Sequence, residues 1–290
     1  MENKNQSQND DLNQNDGRNQ NDGQNQNGGQ NQNGGQNQND GQNQNGGQYS
    51  VKIQNVLQVI REGKFFLLYD SEKREGETDF VISATAVQSR DVKRMRKDGG
   101  GLICVAFSPK AAEILKLPFM ADVVTAAAAN DQISPKLEIG TFVEKEGDIQ
   151  YDKKSSFSLW VNHRKNRTGI PDDDRSYTIR RLGEMTKSAL GGDPVDFASE
   201  FRTPGHTATL RASRGLLDER RGQTELSIAL ALMAKTTPAM VVCEMLDDAN
   251  GKALSKEDAK AYGEKNGMIF VEGREVVEAF EIWKKEGIDA

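Results

Sequence analysis

Four short segments of this chain gather residue types that can move protons or hold anions. The first is Asp70-Ser71-Glu72-Lys73-Arg74-Glu75-Gly76-Glu77-Thr78-Asp79, between two apolar stretches. Glu75, Glu77 and Asp79 alternate, and on an extended segment alternation points all three carboxylates to one face. Three such charges repel unless a cation sits among them, which a hard divalent ion supplies; a solvated charged loop is the bland alternative. The second is Phe201-Arg202-Thr203-Pro204-Gly205-His206, where a Pro-Gly turn is expected to present one of two histidines just before a strand. A held imidazole suits proton transfer near neutral pH, and an ordinary surface histidine fits equally. The third is Arg220-Arg221-Gly222-Gln223-Thr224, just ahead of an apolar helical stripe. Guanidinium forks, backbone N–H groups and the helix dipole would converge there on a phosphate, or Thr224 would simply cap the helix. The fourth is Cys243-Glu244-Met245, where Glu244 ends a buried run as either an ion-paired acid or a catalytic carboxylate with a raised pKa.

The elements that must position these residues follow from periodicity. Val51 to Ile60 carries apolar residues at 53, 56, 57 and 60, a helical stripe that Gly63 stops. Apolar runs at 64–69, 80–85, 102–107, 157–162, 207–212, 240–245 and 268–271 read as strands. Helices are expected at 89–97, 109–115, 176–187, 224–234, 255–266 and 276–285, with 131–148 a surface excursion. Strands and helices mix without a regular βαβ rhythm, which argues an α+β class: one compact domain of mixed sheet with surrounding helices, residues 49–290.

Residues 1–48 are a different object. Their glycines recur every six residues from Gly17 to Gly47, and Met1 and Leu12 are the sole apolar residues. A tract with nothing to bury cannot offset the entropy of ordering, so a disordered tail is expected. Of the net charge of -6, six acids against two bases place -4 in that tail and leave -2 for the remainder. Such a balance gives no electrostatic case for nucleic acid or an anionic membrane as partner. No apolar run approaches the roughly 20 residues of a membrane helix. Two cysteines and no apolar leader point to a reducing, cytoplasmic setting.

Taken in order, the segments resemble 3,4-dihydroxy-2-butanone 4-phosphate synthase of riboflavin biosynthesis, in its single-domain archaeal form. Between the segments already quoted, Gly100-Gly101-Leu102-Ile103-Cys104, Lys154-Ser155-Ser156-Phe157-Ser158, Asn162-His163-Arg164-Lys165, Thr168-Gly169-Ile170 and Asp174-Arg175 extend the match. The resemblance implies conversion of D-ribulose 5-phosphate to L-3,4-dihydroxybutan-2-one 4-phosphate and formate, with Mg2+ or Mn2+, in a homodimer whose active sites lie at the subunit interface. It implies substrate binding by Arg74, Glu75, Asp79, Arg220, Arg221, Gly222, Gln223 and Thr224. Catalysis falls to His206 and Glu244, with Glu77, Asp70 and Cys104 as further active-site positions. Glu75 would hold the metal; the second metal position, a histidine in the family, is Gln223 here. An amide oxygen can ligate a hard ion but lacks the imidazole nitrogen, so a paralogue that binds sugar phosphate without turnover is the alternative.

Overall fold

The computed structural model describes residues 49–130, 138–145 and 147–287; the tail at 1–48 lies outside them, as does part of the 131–148 excursion. Helix α1, Val51–Arg61, starts where the Ser50 hydroxyl accepts the Ile53 N–H, and it buries Ile53, Val56, Leu57 and Ile60. Gly63 ends it with φ +64, and a Cβ there would stand 2.5 Å from the Ala86 Cβ. The strands are β1 Phe66–Tyr69, β2 Thr78–Ser83, β3 Cys104–Phe107, β4 Phe157–His163, β5 Phe201–Arg211, β6 Ala239–Glu244 and β7 Phe270–Glu272. They form one seven-stranded sheet in the order β4-β5-β3-β6-β2-β1-β7. Two pairings, β1 with β7 and β3 with β5, are parallel and the other four antiparallel, so the sheet is mixed and the α+β reading holds.

Helices cover both faces of the sheet. On one face α1, α7 (Gln223–Met233) and α9 (Gly273–Lys285) pack on Leu68, Val81, Cys104, Ala106, Met240 and Val242. On the other, α2 (Ser89–Asp98), α3 (Pro109–Ile114), α5 (Asp172–Gly191) and α8 (Lys256–Asn266) pack on Leu67, Phe80, Ile82, Val105 and Val241. Neighbouring strand residues thus alternate between the two cores, as a pleated strand requires. Burial on both faces also explains why the strands read as unbroken apolar runs.

Three expectations are corrected. The helix read at 176–187 runs over Asp172–Gly191: Asp172, Asp173 and Asp174 fill its first turn, and its buried face includes Arg175, Ser176 and Thr178, so polarity hid the first turns. Helix α4, Met120–Ala128, has no counterpart among the expected elements; its apolar residues run nearly all round it rather than along one stripe, and none of them is buried. The Pro-Gly turn is not a turn. Residues 201–211 form one strand, with the irregularity inside it: β4 pairs Asn162 with Arg202 but Val161 with Thr207, leaving 203–206 on β5 between two consecutive partners. A short helix, α6 (Phe197–Glu200), leads into that strand.

Candidate active site

The carboxylate segment is organised by its own first residue. Asp70, 3 % exposed, accepts the backbone N–H of Glu75 at 3.1 Å and of Glu77 at 3.0 Å, folding 70–77 into a loop that Gly76 closes with φ +68. Glu75 therefore sits in a turn rather than on an extended strand, which replaces the one-face alternation expected for 75, 77 and 79. Asp79 is inside β2 and pairs in register with Glu244 of β6, while Val242 pairs with Cys104 of β3. Directly opposed residues share a face, so Asp79, Glu244 and Cys104 all look toward the α7 side of the sheet.

At that end of the sheet is a cavity of about 220 Å³ lined by Glu75, Asp79, Cys104, Gln223, Thr224 and Glu244, among others. Two of the acids that line it, Asp79 and Glu244, are held in their protonated forms more than free carboxylates are. Burial raises Asp79 well above its ordinary value, and the neighbouring Glu244, Glu75 and Glu77 add to that. Glu244 is raised by burial and then by Glu75. Glu77 is pushed up to about 7 by burial, then by Glu75 and Glu244, although its side chain does not line the cavity. Cys104 is pushed well up by burial and by Glu244, so it stays a thiol.

The anion seat closes the other side. Helix α7 begins at Gln223 after the N-cap Gly222, with no side-chain cap, and its first two residues, Gln223 and Thr224, line the cavity. Thr224 is thus the second helical residue, not the cap. The Arg220 guanidinium donates to Asp152 at 2.7 Å and to Glu225 at 2.5 Å, and these carboxylates hold it charged against the pull of burial. Arg74 makes a two-pronged pair with the same Asp152, at 3.1 and 2.9 Å. Tyr151 lies under the Arg74 guanidinium, and the Glu75 carboxylate stands beside the Tyr151 hydroxyl. Sequence reading missed Asp152, Tyr151 and Glu225. The one local signal was the position of 151–152 just ahead of the Lys154–Ser158 motif, and nothing in the spacing ties them to Arg74 or Arg220.

Gln223 carries the observation closest to a metal. Its Nε2 donates to the backbone oxygens of Leu68 and Glu77, both at 3.0 Å, while its buried Oε1 has no hydrogen-bond partner. Turning the amide over would set oxygen against two carbonyls, so the network fixes Oε1 as the free acceptor. A free, buried oxygen on a residue that lines the same cavity as Glu75 fits a hard divalent cation. Among the described residues no group of three or more His, Cys, Asp or Glu is arranged for a metal. Two protein oxygens completed by water suit Mg2+, which gives up its hydration reluctantly.

Six expected site residues do not line the cavity: Asp70, Arg74 and Glu77 are hydrogen-bonded to residues that do, Gly222 precedes one, and Arg221 and His206 are exposed. Arg221 is exposed and turns back to the Leu217 carbonyl at 3.1 Å. His206 is exposed and does not line the cavity; its Nδ1 lies 2.9 Å from the Asn162 side-chain nitrogen.

A mixed sheet that ends in a pocket of raised carboxyls, with an open helix N-terminus and two half-buried guanidinia, defines an enzyme of acid–base chemistry on a small anionic substrate. The comparisons narrow that class. The profile of the family described as 3,4-dihydroxy-2-butanone 4-phosphate synthase matches residues 54–279. Proteins of that name from Methanosarcina mazei and Methanosarcina acetivorans are 61% and 59% identical to this chain over 231 residues, 80% of this chain and 92% of each relative. A crystal structure of 3,4-dihydroxy-2-butanone 4-phosphate synthase in complex with two magnesium ions aligns with a TM-score of 0.63 at 25% identity, covering 82% of this chain and 99% of that one. This chain belongs to the 3,4-dihydroxy-2-butanone 4-phosphate synthase family, and the matched span contains every cavity residue named above.

Proposed function

We propose that the chain converts D-ribulose 5-phosphate to L-3,4-dihydroxybutan-2-one 4-phosphate and formate, using Mg2+ or Mn2+. The five-carbon sugar phosphate divides into a four-carbon one and formate with no other reactant, so the protein has only to move protons and guide a carbon skeleton. The observation that carries this reading is a pair of carboxyls, Asp79 and Glu244, raised by burial in a cavity that the first residues of an open helix N-terminus also line. Enolisation and dehydration need groups that both give and take protons near neutral pH, and Glu77, at about 7, has the right standing. Asp79 and Glu244, which line the cavity itself, are further acids or bases. Arg220 and the N–H groups at Gln223 and Thr224 hold the phosphate, with Arg74 beside them. Glu75 and Gln223 would hold the divalent ion, which when bound polarises the substrate carbonyl. Glycine at 222 keeps this wall open, because a Cβ there would stand 2.3 Å from the Arg220 guanidinium.

The protein acts as a homodimer with its sites at the interface, an arrangement that accounts for an exposed His206 outside the cavity of a single chain. Two free buried thiols suit a cytoplasmic setting, and no helix among the described residues is long and apolar enough to cross a membrane. The test is formate release from ribulose 5-phosphate with Mg2+ and with EDTA. Release that EDTA stops is expected. Release indifferent to EDTA overturns the metal role, and none with any divalent ion favours the paralogue that binds without turnover.

A further inference from the structure

The irregularity between β4 and β5 does more than interrupt a ladder. Because 203–206 stand between two consecutive partners, the His206 N–H has no ladder carbonyl opposite it. The Asn162 side chain supplies the missing acceptor: its Oδ1 takes the His206 N–H at 2.8 Å. The other half of the same amide faces two acceptors. Asn162 Nδ2 donates to the Thr168 carbonyl at 3.1 Å and lies 2.9 Å from His206 Nδ1. Flipping the amide would set NH2 against N–H and oxygen against oxygen, so its orientation is determined by these partners. Asn162 is fully buried, and two glycines make room for it. A Cβ at Gly169 would lie 2.1 Å from Asn162 Nδ2, and one at Gly205 would lie 2.3 Å from the Asn162 backbone nitrogen.

We propose that Asn162 is the positioning residue that holds the His206 imidazole with Nδ1 as acceptor and its proton on Nε2. An NH2 group can only donate, so a neutral ring facing it must present a bare nitrogen on that side. Nε2 then carries the proton on the exposed edge, the edge available to a reacting oxygen. The inference rests on His206 being an acid or base of the proposed reaction, and Asn162 acts through it without touching substrate. Chemical identity at 162 matters more than shape: Asp has nearly the outline of Asn but offers an acceptor where the amide offers a donor, and so calls for a proton on Nδ1.

The chain has two histidines, which makes the state of each ring directly readable by 15N NMR of the full-length protein. His163 is the internal reference, since its Nδ1 accepts the Lys165 N–H at 3.1 Å and its Nε2 faces Glu200 at 3.4 Å. The wild-type His206 should show a bare Nδ1 and a protonated Nε2. Asn162→Asp should move the proton to Nδ1 or charge the ring, and Asn162→Ala should leave a mixture of forms. Both should lower kcat about 10-fold or more with KM within about two-fold, the pattern of a group that acts in the transition state. A wild-type ring protonated on Nδ1, or a ring unmoved in both variants, overturns the proposal; so does a moved ring with unchanged kcat. If the aspartate variant does not fold, the alanine variant carries the same reading. Failure of the wild type to release formate would instead sink the functional assignment, while the NMR still decides the tautomer.

Discussion

Gln223 stands where the resemblance read from the sequence expects a metal-binding histidine. Its NH2 ties α7 to the backbone of Leu68 and Glu77, and its oxygen is left over. A histidine there could keep one of those two bonds and offer a ring nitrogen in place of the amide oxygen. Gln223→His should therefore lower the half-saturating concentration of metal in a formate assay, about 10- to 100-fold, and more for Mn2+ than for Mg2+. Unchanged half-saturation for both ions would show that position 223 does not touch the metal. Asp79 tests the acidic end. It is buried, raised by burial and then by its carboxylate neighbours, and its Oδ1 has no hydrogen-bond partner. A carboxyl that titrates higher in the folded state than in the unfolded one contributes stability at low pH that is lost as pH rises through the folded value. In metal-free protein, Asp79→Asn should melt higher than the parent at about pH 8 and no higher at about pH 4, while formate release falls about 100-fold or more. Equal melting temperatures at the higher pH would mean the carboxylate is stabilised by something other than protonation.

The β4–β5 pair depends on glycine for one close approach. A Cβ at Gly205 would stand 2.0 Å from the Val161 carbonyl carbon, inside the backbone of the neighbouring strand, where no flexible side chain can yield. Gly205→Ala should destabilise by about 1–3 kcal/mol, the range for overpacked sites, and should also lower kcat by displacing His206. Gly191→Ala, in the last turn of α5, meets nothing within 4 Å and should be neutral or slightly stabilising. If thermal melts rank the two variants the other way, Gly205 does not stand against the Val161 backbone in solution.

Across the whole molecule, the catalytic machinery of the proposed function belongs to residues 49–290. Removal of 1–48 should leave the melting temperature, kcat/KM and the sedimentation of a dimer unchanged, since a tract whose sole apolar residues are Met1 and Leu12 has little to pack with. A lost dimer or a large fall in melting temperature on truncation would show that the tract docks.

By itself the sequence determined most of the elements, the α+β class and seven of the fifteen residues that line the cavity. Those signals are local: apolar residues at 53, 56, 57 and 60, stopped by Gly63, mark a helical stripe within one short stretch of chain. The carboxylate segment, the Arg-Arg-Gly-Gln-Thr segment and the Cys-Glu strand end were each legible as groups that could do chemistry. Only the tertiary structure decided which of them meet. Strand register sets Glu244 beside Asp79, and long-range ion pairs bring Arg74 and Arg220 onto one Asp152. The same packing sends Arg221 outward and gives His206 its partner in Asn162. Pairings between distant segments leave no mark in the spacing of either one, because they depend on how the whole sheet orders its strands.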